Sequence, residues 1–150
     1  MKIRKMREED VSTCIELGRL MHDESFYRDN DYDERKLWAM WDQSVQNPHQ
    51  FCMRVAEKDG EVFGLFVGYR YEHFFGYDIC SSDLLLYIKP EYRGGTAAPR
   101  LIKAYEKWAR ESDVTEIQIG VSTGVREERT ARLFERLGFG DRAIYYRKRI

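Results

Sequence analysis

The sequence predicts a mixed α/β fold, with a central, mostly antiparallel sheet flanked by helices, and three observations predict it. Short segments alternate apolar and polar residues, amphipathic stretches of helical period separate them, and one strand–helix–strand unit has the length of a parallel crossover. With 150 residues, 43% hydrophobic and 34% charged, the chain has the size and balance of a single domain, expected to span residues 1–150.

The elements follow in order. Ile3 to Met6 is a short strand, ended by the charged run Arg7-Glu8-Glu9-Asp10. Asp10 offers an N-cap to a helix whose Val11, Cys14, Ile15, Gly18 and Met21 share one face. His22 to Asp33 is acidic and aromatic without either periodicity, and reads as a loop. A second helix starts near Glu34, with Leu37, Trp38, Met40 and Trp41 apolar, and stops at Asn47-Pro48 because a residue before proline is pushed out of the helical region. Trp38, Trp41 and Trp108 all lie on helical stripes and are expected in the core.

Phe51 to Glu57 alternates as a strand, and Asp59-Gly60 suits a two-residue reversal whose central positions need positive φ. The partner strand runs from Val62 to about Tyr71, where Gly64 and Gly68 mark a bend or a close neighbour. After an aromatic connection, a long strand covers Ile79 to Ile88 and stops at Lys89-Pro90. Thr96 to Ser112 is a helix with Leu101, Ile102, Tyr105, Trp108 and Ala109 on its apolar stripe, and Thr115 to Val121 is the strand that completes the crossover. Arg129 to Leu137 is the last helix, closed by Gly138, and Ala143 to Ile150 is expected as a final strand.

Charge and composition narrow the function. A net charge of -1, from 25 basic and 26 acidic side chains, supplies no bulk attraction to nucleic acid or anionic lipid, and no apolar run approaches a membrane span. Cys14, Cys52 and Cys80 are widely spaced in apolar surroundings and read as buried thiols of a cytoplasmic protein. His22, His49 and His73 are scattered, so no metal site is expected. The N-terminal residues carry positive charge with no apolar stretch behind it, which matches no export signal.

One segment carries chemistry. Between the long strand and the central helix stands Tyr92-Arg93-Gly94-Gly95-Thr96-Ala97-Ala98. Small side chains there leave main-chain N–H groups open, the first turn of a helix has unpaired donors, and its dipole favours negative charge; together these suit a diphosphate, with Arg93 adding a charged fork. A plain strand-to-helix turn accounts for the same glycines.

A second segment, Leu133-Phe134-Glu135-Arg136-Leu137-Gly138-Phe139, resembles the helix-ending signature of the GNAT superfamily of N-acetyltransferases, and Arg93 and Ala98 match the ends of that family's phosphate turn. The resemblance runs from the first strand through Phe139 and implies the GNAT acyl-CoA N-acyltransferase fold, with acetyl-CoA as cosubstrate held by Arg93, Gly94, Gly95, Thr96, Ala97 and Ala98 and by Phe134 on the last helix. It implies that the backbone of Leu86, Tyr87 and Ile88 pairs with pantetheine amides and polarises the acetyl carbonyl. Three positions depart from the pattern: Thr96 replaces a glycine, Glu127 stands where an asparagine is common, and Phe134 replaces a tyrosine that protonates the departing thiolate.

The implied reaction is direct attack of a primary amine on the acetyl carbonyl in a ternary complex, which needs a base because only the neutral amine is nucleophilic. Asp83 on the long strand and Glu72 and His73 at the exit of the preceding one are the candidates; a solvent-facing carboxylate at a sheet edge accounts equally for their position. Tyr87, Tyr105, Tyr145 and Tyr146 are possible proton donors or packing residues. The acceptor site is expected between the loop holding Asp23, Glu24, Phe26, Tyr27, Asp31 and Tyr32 and the connection holding Phe74, Phe75 and Tyr77, since carboxylates beside aromatic faces suit a cationic amine. A non-catalytic CoA-binding or interaction module of the same fold is the alternative, and Tyr145-Tyr146 could be buried in a homodimer.

Overall fold

The computed structural model describes all 150 residues. Its strands are β1 (Lys2–Lys5), β2 (Phe51–Lys58), β3 (Glu61–Glu72), β4 (Ile79–Ile88) and β5 (Glu116–Gln118), and its helices are α1 (Val11–Glu24), α2 (Glu34–Gln46), α3 (Ala97–Glu111) and α4 (Glu127–Arg136). The strands form one sheet in the order β1-β2-β3-β4-β5, antiparallel except for the β4–β5 pair. The antiparallel part follows from local turns. Asp59 at φ 52° and Gly60 at φ 82° make the tight reversal that joins β2 to β3. The parallel pair follows from the α3 crossover.

Both faces of the sheet are covered. On one, Leu101, Tyr105 and Trp108 of α3 pack on Cys52, Phe63 and Phe66; on the other, Cys14 and Leu17 of α1 pack on Val55, Leu65, Val67 and Tyr87. Gly68 is needed for the first contact, since a Cβ there would stand 2.9 Å from the Tyr105 ring. The Tyr105 hydroxyl donates to Ser81 Oγ at 2.8 Å and Ser81 Oγ donates to the Tyr69 carbonyl at 2.7 Å, so the buried phenol is satisfied inside the core. All three cysteines are buried.

Four expectations need correction. Asp10 precedes α1 but does not cap it: its carboxylate accepts from the Arg4 guanidinium at 2.6 and 2.9 Å and from the Arg7 N–H at 2.8 Å, which holds its pKa below the usual range. Trp38 is not in the core. It is 38% exposed, and α2 buries no residue fully; its partly buried Met40 and Trp41 are the side chains that pack against the core. The β5 ladder is three residues long instead of reaching Val121, because the Gly120 N–H goes to a side chain of β4. Ala143 to Ile150 is not a strand: residues 140–150 make no backbone–backbone hydrogen bond. Arg147 and Arg149 instead donate to the carbonyls of Phe26 and Asp29, so main-chain carbonyls of the α1–α2 loop compete for this segment with a sheet edge only three residues long. Tyr145 and Tyr146 are left 83% and 92% exposed.

Candidate active site

The cleft arises where the sheet comes apart. β4 and β5 pair only at Cys80↔Glu116, Ser81↔Ile117 and Ser82↔Gln118; beyond Ser82, β4 runs on to Ile88 paired only with β3. The β3–β4 register passes from Val67↔Leu85 to Gly68↔Asp83, leaving Leu84 as the extra residue of a bulge that re-aims the strand. Where the next β4–β5 rung would form, Asp83 Oδ1 accepts the Gly120 N–H at 2.9 Å. A side chain thus fills the fork, and the strands diverge around a cavity of about 810 Å³.

One end of the cavity is the turn before α3. A single 3-10 turn, Pro90–Tyr92, leads through Arg93 to Gly94 at φ 93°, a conformation that favours glycine. The amides of Gly94, Gly95, Thr96, Ala97 and Ala98 donate to nothing within the chain, and Pro99 has no N–H to leave unpaired. These five donors are left free along the turn, and Gly94, Gly95 and Ala98 among them line the cavity. A Cβ on Gly94 would stand 2.9 Å from an Arg129 guanidinium nitrogen, so α4 lays a cation directly against the turn. Arg129 has no carboxylate partner; Glu128 pairs with Arg132 instead.

Arg93 does not point its guanidinium at these amides. Its Nε donates to the Ile88 carbonyl at 2.7 Å, its Nη2 to Glu24 at 2.5 Å, and its charge lies 5.3 Å over the Tyr87 ring. The Thr96 hydroxyl does not cap α3. Leu86, Tyr87 and Ile88 line the cleft, as does Phe134, which is buried against Phe139.

The three candidate bases part company. Asp83 lies in the cavity wall, and burial pushes its carboxyl up to about 6 against the lowering effect of the Gly120 N–H. Glu72 and His73 do not line the cavity. Glu72 pairs with Ile79 at the far end of the hairpin, four residues from Asp83 or about 13 Å along the strand, and His73 stacks on Phe74. Of the phenols, Tyr105 is committed to the core, Tyr145 and Tyr146 lie outside, and Tyr87 borders the cavity.

Of the two segments expected to form the acceptor site, only the one between the first two helices reaches the cavity. Glu24, Tyr27, Asp31 and Tyr32 border the cavity, with Tyr32 tied by its hydroxyl to the Ile15 carbonyl at 2.6 Å. Phe74, Phe75 and Tyr77 are 82–90% exposed and take no part in it. The aromatic β3–β4 connection is thus not the second wall that its composition suggests. No group of three or more His, Cys, Asp or Glu side chains could hold a metal ion, and no helix is long and apolar enough to cross a membrane.

A model of the acetyltransferase (GNAT) family matches residues 15–139. The chain belongs to the GNAT acetyltransferase family. It is an acyltransferase by class, and the family's acyl donor is acetyl-CoA. Solved structures of the same fold include glucosamine-6-phosphate N-acetyltransferase from Arabidopsis thaliana, 14% identical, with a TM-score of 0.76 over 99% of this chain and 97% of that one. AAC(6')-Iy bound to the bisubstrate analogue CoA-S-monomethyl-acetylneamine is 19% identical, with a TM-score of 0.75 over 99% and 98%. The ribosomal-protein-alanine N-acetyltransferase of Brucella melitensis biovar Abortus 2308 is 16% identical, with a TM-score of 0.73 over the whole of both chains. No curated protein matches the sequence.

In this GNAT acetyltransferase the residues present fit the coenzyme's diphosphate: five bare amides, a glycine whose side chain would collide with Arg129, and a cation free of carboxylates. Sequence reasoning missed the contacts of Arg129 with Gly94, of Gly120 with Asp83 and of Glu24 with Arg93. The signal for Arg129 was present, since Arg129, Arg132 and Arg136 space three and four apart along α4, whereas nothing local announced Gly120 or Glu24.

Proposed function

We propose that this acetyltransferase transfers the acetyl group of acetyl-CoA to a cationic primary amine by direct attack in a ternary complex, with Asp83 taking the amine's proton. The observation that carries the reading is Asp83 itself: a partly buried carboxyl in the fork of the sheet, oriented by the Gly120 N–H and raised to about 6. A group with that pKa is ionised at neutral pH yet basic enough to relay a proton, directly or through one water.

The coenzyme supplies an already reactive thioester. The chain's own residues do the rest. The Gly94–Ala98 amides and Arg129 would hold the diphosphate, and the edge of β4 from Leu86 to Ile88, which β5 leaves unpaired, would align the pantetheine arm. Asp31 receives the acceptor's positive charge, while Tyr27 and Tyr32, whose rings already lie against Arg147 at 4.7 Å and Arg19 at 4.5 Å, shape the site around it. Phe134 offers no proton, and a thiol with pKa near ~8.5 can leave as the thiolate. Three buried, unpaired cysteines support a cytoplasmic setting.

The test is thiol release from acetyl-CoA across a panel of amines that includes glucosamine 6-phosphate, kanamycin, spermidine and an alanine-terminated peptide. Release stimulated by at least one amine is the expected result. Release at the same slow rate with and without every amine, under conditions where acetyl-CoA binds, would remove amine transfer as the reaction.

A further inference from the structure

We infer that Arg93 and Glu24 form an exchangeable ion pair that sets coenzyme affinity: Glu24 holds Arg93 away from the phosphate turn, and Arg93 trades Glu24 for the diphosphate when coenzyme enters. The inference rests on the coenzyme site described above. It concerns Glu24, which no part of that site requires.

The geometry is specific. Arg93 directly precedes the five bare amides, so its backbone is already at the anion site, yet its side chain turns back into the cleft. There its Nη2 meets Glu24 at 2.5 Å and its Nε meets the Ile88 carbonyl at 2.7 Å, with the side chains 17% and 30% exposed. In this position Arg93 occupies the carbonyl at the end of the free β4 edge, along which the pantetheine arm would run. The resting pair therefore closes part of the groove and withholds a cation from the phosphates at the same time.

The pair is also poised to break. Glu24 is the last residue of α1, where the negative end of the helix dipole already disfavours a carboxylate, and Asp23 stands beside it. Glu24 needs a cation more than it attracts one by geometry. A diphosphate carries more negative charge than the single Glu24 carboxylate, so it is the stronger partner for a guanidinium even when shared with the turn's N–H donors and Arg129, and bidentate pairing with phosphate is what that fork does best. Each charge of the pair is then replaced by a charge of the incoming ligands: the diphosphate takes Arg93, and Glu24, left at the rim of the acceptor end, is free for an ammonium. Linkage makes the exchange reciprocal, so occupancy of one side favours the other.

The experiment is calorimetric titration of CoA into the wild type, Glu24→Gln, Arg93→Gln and the double variant, with thermal unfolding recorded for each. The expected result is that Glu24→Gln binds CoA roughly twofold to fivefold more tightly, the size of a partly exposed ion pair, while Arg93→Gln binds more weakly. In the Arg93→Gln background the Glu24 substitution should then change affinity by less than the error. A gain of affinity is a result that a merely damaged fold does not give. If Glu24→Gln weakens CoA binding or leaves it unchanged in the wild-type background, the exchange is overturned. If it tightens binding equally in both backgrounds, Glu24 acts by simple repulsion of phosphate and the exchange is again overturned. A wild type that binds no CoA at millimolar concentration removes the coenzyme site itself, a different failure from the other two.

Discussion

Replacing Asp83 by asparagine should make the protein more stable and the enzyme worse, and the structure sets the size of both effects. The carboxyl is raised from 3.8 to about 6, with burial as the largest cause, so the folded protein binds its proton more tightly than the unfolded chain does. The sign follows. Below about pH 4 the proton is bound in both states and the folded state pays no penalty; as pH rises through about 6 the folded carboxyl must ionise in a poorly solvated place, and stability is lost. At 1.36 kcal/mol per unit the loss amounts to about 3 kcal/mol at most by pH 8. Asparagine carries no charge, and its carbonyl can still accept the Gly120 N–H, so it avoids that loss while keeping the fork.

Chemical denaturation of wild type and Asp83→Asn at pH 4 and pH 8 measures the difference. The curves should nearly coincide at pH 4, and the variant should be more stable by about 1–3 kcal/mol at pH 8. Steady-state assay should show kcat lowered roughly 100-fold or more with acetyl-CoA affinity unchanged, and the acid limb of the wild-type kcat/KM profile near pH 6 should vanish in the variant. A variant that is destabilised at pH 8, or one that retains wild-type kcat, would refute the assignment: the first shows that the charge is well solvated, the second that the base is elsewhere.

Other outcomes follow from single contacts. Gly94→Ala places a methyl group 2.9 Å from Arg129 at φ 93°, and should weaken acetyl-CoA binding about tenfold or more by calorimetry while costing roughly 1 kcal/mol of stability. Arg129→Gln should weaken acetyl-CoA binding about fivefold to tenfold and flatten its dependence on ionic strength, because an unpaired cation beside the phosphates is lost. Leu101→Ala, at a fully buried position between α3 and the sheet, should lower unfolding free energy by about 2–5 kcal/mol in urea. Tyr146→Ser should change the unfolding free energy in urea by no more than about 0.5 kcal/mol, since the ring is 92% exposed.

What could be read in advance was local. The Asp59-Gly60 reversal, the stop at Lys89-Pro90, the apolar stripe of α3 and the open turn from Gly94 to Ala98 are each decided by residues a few positions apart, and each stands in the structure where composition and period place it. The cleft was not local. It depends on Asp83 reaching Gly120 across 37 positions of sequence, on Arg129 crossing to Gly94, and on Arg93 finding Glu24 69 positions away. Ala143 to Ile150 shows the same limit from the other side: its residues favour a strand, but a strand needs a partner, and the β5 edge offers three residues while the α1–α2 loop offers carbonyls to Arg147 and Arg149. The proposed catalytic arrangement therefore depends on contacts that no local pattern announces. A substitution at Gly120 or Glu24, neither of which carries a recognisable motif, should reach the chemistry as directly as one in the phosphate turn.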